Sequence, residues 1–206
     1  ASDVYKRQYL NSSLTEFSKK YAGKCIGICG NIILEHRVPD HLYIGNQFCH
    51  LLFPERKLLF EIIEKAAAEQ VKITLVFSYI REYMLDYITE LLDEINRWCE
   101  EKRQSVEIVV NDWGMASLVK KSRRNLIPSL GILLNKRRKD PRIPFKKGEQ
   151  KWFERNSLNA GFYRNFLERE YGIQRFEWES CGYEQKIPPG KNSLHIPFYQ
   201  TNTSQY

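Results

Sequence analysis

Between Leu42 and Trp178 short, β-rich apolar runs alternate with segments whose apolar residues recur every three or four positions, and this alternation restricts the chain more than any other feature. Leu42 to Gly45 (LYIG) reads as a strand. Pro54 then opens a helical pattern carrying Leu58, Leu59, Ile62, Ile63 and Ala66. Val71 to Phe77 (VKITLVF) is the next strand. A long amphipathic helix follows, with Met84, Ile88, Leu91, Ile95 and Trp98 on one face. Val106 to Val110 (VEIVV), a short helix over Trp113 to Lys121 and the apolar run Leu126 to Leu134 continue the series, with Pro128 marking an edge, a bulge or a strand start. The pattern predicts one helix over Trp152 to Tyr171, with Phe162, Phe166 and Leu167 on its apolar face and Gly172 as its stop. Ile173 to Trp178 (IQRFEW) and Ser193 to Tyr199 (SLHIPFY) read as further strands.

Strands separated by helices imply β-α-β units, parallel pairing and right-handed crossovers. The expected fold class is α/β, with TIM-barrel-like (βα) repeats. Five or six strands fall short of eight, so the barrel is expected to be incomplete; an open doubly wound sheet is the alternative. Ala1 to Leu10 is set aside as a leader resembling translated adapter sequence, which leaves residues 11–206 as one partial barrel domain. No Gly-rich phosphate loop follows the first strands.

Polar clusters follow successive strands: Asn46 to His50 (NQFCH), Ser78 to Glu82 (SYIRE), Asn111 to Gly114 (NDWG), Asn135 to Arg142 (NKRRKDPR) and Glu179 to Tyr183 (ESCGY). A parallel barrel gathers those ends on one rim, where sites are built. Asn46 and Asn111 are therefore candidate substrate-binding residues, and Asp112 is a candidate catalytic group. Asn-Asp before an apolar helix start is also an ordinary N-cap pattern.

The formal charge of +7 is concentrated. Between Lys120 and Lys147 there are eleven basic residues against the single acid Asp140, a local balance of +10, while the rest of the chain is mildly acidic. Lys136, Arg137, Arg138 and Arg142 sit around the Asp140-Pro141 turn signal and are candidate substrate-binding residues. Clustered cations of this kind point to RNA or another polyanion as partner, against the alternative of a merely solvated loop. No apolar run is long enough to span a bilayer and no signal peptide is recognisable, so a cytoplasmic protein without a membrane partner is expected.

Five cysteines, Cys25, Cys29, Cys49, Cys99 and Cys181, do not make a disulfide framework in a chain of 206 residues. His36, His41, Cys49 and His50 lie close together but lack the paired spacing of a structural zinc site. There is no GxSxG, no HExxH and no Cys-His pair at a protease spacing.

Leu42 to His50 (LYIGNQFCH), Glu107 to Leu118 (EIVVNDWGMASL), Leu130 to Arg142 (LGILLNKRRKDPR) and Phe176 to Tyr199 together resemble peptidase family U-32, the collagenase-like proteins, over roughly Leu42 to Tyr206. The resemblance implies a TIM barrel with a 4Fe-4S cluster on four cysteines, and oxygen-independent hydroxylation of RNA or of a small molecule such as a quinone precursor. A collagenase-like protease and a non-catalytic subunit that binds a second family-related protein are the alternatives it leaves open. Tyr43, Ile44 and Gly45 match the strand that precedes one cluster cysteine, which makes Cys49 the candidate metal ligand. The remaining ligands begin at or just after a segment resembling His195 to Tyr206, and Cys181 matches none of them. The fragment is therefore expected to be apo, with Cys49 a stranded ligand. His195 joins Asp112 as a candidate catalytic residue.

Overall fold

In the computed structural model the described residues are 7–17, 19, 40–121, 123–136, 147, 151–181 and 183–199, with backbone alone at 151–152 and 197–199. Six strands, β1 (His41–Gly45), β2 (Lys72–Val76), β3 (Val106–Val110), β4 (Leu126–Leu130), β5 (Arg175–Ser180) and β6 (Lys191–Tyr199), form one sheet in the order β1-β2-β3-β4-β5-β6. Every pairing is parallel. The sheet curls into a half-barrel compatible with part of a (βα) barrel. A doubly wound sheet would need the strand order to reverse about a switch point, and this order runs straight through, so that alternative is rejected.

Helices α1 (Arg56–Ala68), α2 (Leu85–Lys102), α3 (Trp113–Lys120) and α4 (Gly161–Tyr171) supply the outer layer. Leu59, Ile62 and Ile63 of α1 and Leu91, Leu92 and Ile95 of α2 pack with strand residues Leu42, Ile44, Ile73, Leu75, Ile108 and Val110 in one buried cluster. Those strand positions alternate with the ones pointing the other way, so the convex face of the sheet is apolar. Helices α1, α2 and α4 end alike. A residue in the left-handed region, Gln70 (φ 57°), Arg103 (φ 52°) or Gly172 (φ 70°), lies at each end. The next residue's N–H then reaches back five or six residues, as in Ile173 to the Leu167 carbonyl at 3.1 Å.

Sequence expectation and structure part at the segment before α4. The helix expected over Trp152 to Tyr171 is broken into a turn at Lys151–Glu154, a 3₁₀ turn at Ser157–Asn159 and α4. Asn156 and Asn159 form a reciprocal capping box that ends one helical segment and starts the next. Of the expected apolar face only Leu167 is buried, and Phe162 is 79% exposed. The segment set aside as leader contributes a core side chain: Tyr9 is 2% exposed and donates to Glu69 Oε2 at 2.7 Å. Burial, then Glu69, raises its phenol pKa.

Pro128 occupies the middle of β4, inside the sheet. It pairs in register with Ile108 of β3, whereas β4 meets β5 at Leu130↔Phe176 alone. A residue with no N–H to donate weakens one ladder, and the neighbouring strand is held there by few pairs.

Gly45 ends β1 at φ 120°, and a Cβ there would lie 2.1 Å from the Val76 carbonyl oxygen. Gly45→Ala is therefore expected to lose at least about 2 kcal/mol of stability in urea unfolding, since strain and backbone overlap add.

Candidate functional site

The concave face carries the polar complement of the apolar convex face. Arg175, Glu177 and Glu179 alternate with Phe176 and Trp178 along β5, and the register aligns them with Lys191, Ser193 and His195 of β6. Tyr43 of β1, Thr74 of β2 and Glu107 of β3 face the same side and join them through hydrogen bonds. The Tyr43 hydroxyl donates to Glu177 Oε1 at 3.1 Å and lies 3.3 Å from Ser193 Oγ. Thr74 Oγ1 donates to Glu107 Oε2 at 3.0 Å. Arg175 donates through Nε to Ser193 Oγ at 2.9 Å and sits 3.4 Å from Glu107 Oε1. The first and last strands of the sheet are thus bridged by side chains across its hollow.

At the C-terminal end of this layer the His195 imidazole Nε2 is hydrogen-bonded to Glu177 Oε2. The Glu177 side chain is fully buried, while that of His195 is 35% exposed. The Gln47 carboxamide nitrogen lies 3.2 Å from the same imidazole nitrogen, and the Ile132 N–H donates to Gln47 Oε1 at 3.1 Å. Nδ1 of His195 has no partner among the described residues. A buried carboxylate that takes one imidazole nitrogen fixes the ring and leaves the other nitrogen to exchange a proton with a bound molecule.

Burial shifts the titratable neighbours. The Tyr43 phenol is pushed up to about 12 by burial and by the Glu177 carboxylate, so it remains a donor. Burial raises the Glu107 carboxyl above the ordinary carboxylate range, with the Arg175 charge pulling the other way.

The sequence-derived candidates divide by placement. His195 lies in this layer. Asp112 caps α3, accepting from Met115 N at 2.7 Å through Oδ1 and from Ile80 N at 2.8 Å through Oδ2, which is the N-cap role its sequence context allows. Asn111 is buried; its Nδ2 donates to the Phe77 carbonyl at 2.7 Å and its Oδ1 accepts from Leu133 N at 3.1 Å, tying three strand ends together. Asn46 Oδ1 accepts from Phe48 N and Cys49 N, at 2.8 and 3.0 Å. Lys136 is exposed just after the turn that follows β4. Arg137, Arg138 and Arg142 lie outside the described residues, as do Cys25, Cys29 and His36. Two members of the basic run serve the scaffold: Arg123 is buried against Asp93 with Nε to Oδ1 at 2.8 Å, and Lys120 bonds the last carbonyls of α4.

The described residues do not present the four grouped thiolates of a 4Fe-4S cluster. Among the described residues no three His, Cys, Asp or Glu side chains group around a point that could hold a metal ion. Cys49 is half-buried in the turn after β1. Cys99 is fully buried in α2, where burial pushes its thiol up to about 11. The Cys181 thiol contacts the Tyr183 carbonyl at 3.2 Å.

Glu177, Arg175, Tyr43 and Glu107 were not among the site residues that the sequence pointed to. For Arg175 and Glu177 the signal is the RFEWES run of β5, where three charged residues at period two alternate with aromatics. In a parallel strand covered on both faces, that pattern places charge inside.

Compared with known proteins, the chain matches no family model, no curated protein and no solved structure.

Proposed function

We propose that the concave face is an acid–base site in which His195 moves a proton through Nδ1 and Glu177 positions the imidazole. The observation carrying this reading is the His195–Glu177 pair within a polar layer, where a barrel interior is ordinarily filled by Val, Ile and Leu. Burying a carboxylate and an arginine on that face costs stability, and such groups concentrate at functional sites.

The resemblance to peptidase family U-32 supplies the reaction class: oxygen-independent hydroxylation of RNA or of a small molecule. Such a hydroxylation replaces a substrate hydrogen with the hydroxyl of water, releases two protons and passes two electrons to an acceptor supplied from outside the chain; His195 contributes the proton transfer, with no step routed through an iron–sulfur cluster. Exposed Lys136, in the basic run and just after the turn that follows β4, supports a polyanionic substrate. Proteolysis has no comparable support, because no Ser, Thr or Cys side chain among the described residues bonds the His195 ring.

The test compares cells expressing the wild-type chain with cells expressing His195→Gln, using mass spectrometry of total RNA and of extracted small molecules. A species that gains one oxygen atom only with the wild-type chain supports the reading. The same species at the wild-type level with His195→Gln overturns it.

A further inference from the structure

A recess opens between the loops that lead into α1 and α2. Its volume is about 220 Å³. Phe53, Phe77, Ile80, Met84 and Ile88 wall it, and Phe53 stacks on Phe77 with centroids 4.4 Å apart. A dry apolar cavity of about 150 Å³ takes benzene, so this recess has room for one ring or two fused rings.

The uncharged polar side chains of its lining are Asn46, His50, Ser78, Tyr79 and Tyr87. The Asn46 Oδ1 is taken by two backbone N–H groups, which leaves its Nδ2 as a donor with no partner among the described residues. Around the mouth, large apolar side chains stand in solvent, among them Leu51 at 78% and Tyr83 at 72% exposure. The one charged group lining the recess is Glu55, which disfavours an anionic guest. Apolar walls with a donor placed among them make the pattern of a small-molecule site.

We infer that this recess binds a neutral, one- or two-ring apolar compound bearing a hydrogen-bond acceptor, its ring against Phe77 and Ile88 and its acceptor on Asn46 Nδ2. The inference stands apart from the His195 site, since none of the residues that line the recess bonds His195.

Coumarin, a neutral bicycle with a carbonyl acceptor, is the probe, and indane is its counterpart without an acceptor. Titration of the ¹⁵N-labelled chain with coumarin is expected to saturate and to move the amide signals of Ser78, Ile80 and Met84. Met84→Trp, which fills the recess from its partly exposed edge, is expected to weaken coumarin at least about tenfold. Asn46→Asp keeps the Oδ1 that holds the loop and removes the donor, so coumarin should weaken about tenfold while indane is unchanged. Unchanged coumarin affinity in a folded Met84→Trp chain would overturn the inference. So would the absence of saturable binding in a chain whose sedimentation shows self-association abolished by Tyr83→Ser, which would assign the exposed apolar rim to a second copy instead.

Discussion

His195→Gln is expected to lower the rate of the modification reaction about 10²- to 10⁴-fold, the range that a positioned proton-transfer group contributes. The glutamine carboxamide can reach toward Glu177 as imidazole Nε2 does, so the loss reads proton transfer rather than collapse of the layer. Glu177→Gln keeps the volume and the contact with Tyr43 but loses the charge that holds the imidazolium once it forms. It should depress kcat with little change in KM, because Glu177 is buried and acts through His195. A Glu177→Gln rate equal to wild type would reduce the pair to a structural contact.

Arg175→Met is expected to be the most destabilising change on the concave face. The guanidinium bonds Ser193 and faces Glu107, and its removal leaves the Glu107 carboxylate, whose side chain is 14% exposed, without its cation. Breaking a buried pair on one side costs about 3 kcal/mol here, the low end for such pairs because the Arg175 side chain keeps 24% of its exposure. The sign of the pH dependence follows from Glu107. Its carboxyl titrates above the ordinary range in the folded chain, so the stability it contributes is present in acid and is lost as pH rises through the raised value. Without Arg175 to pull it down, Glu107 moves further up, and the variant loses more at neutral pH than in acid, where the carboxyl is protonated. Urea unfolding at the two pH values checks this; equal losses would show that Arg175 supports the fold by packing alone.

Much of the fold was legible because the convex-face positions follow simple rules. Val106 to Val110 is a strand with the bounds its β-branched run indicates, and the 3.6-residue spacing of Leu58, Leu59, Ile62, Ile63 and Ala66 marks the buried face of α1. Asn156 hid the break before α4: its capping box depends on side-chain geometry, and the surrounding composition still suits a helix. At the site, His195 was among the sequence-derived candidates, yet its partner was not. Glu177 lies eighteen residues earlier in the chain and reaches His195 only because β5 and β6 pair in parallel. Asn46, Asn111 and Asp112 were legible as rim residues by the same strand-end rule. The Asn46 side chain bonds the N–H groups two and three residues on, whereas the bonds from Asn111 to the Phe77 carbonyl and from Ile80 N–H to Asp112 become visible only once β2 and β3 are side by side.

The proton on the His195 ring tests the proposed acid–base pair most directly. Long-range ¹⁵N–¹H correlation of the neutral imidazole is predicted to show the hydrogen on Nε2, donated to Glu177, with Nδ1 bare and able to take a proton from a bound molecule. A neutral ring carrying its hydrogen on Nδ1, with Nε2 bare, would contradict it.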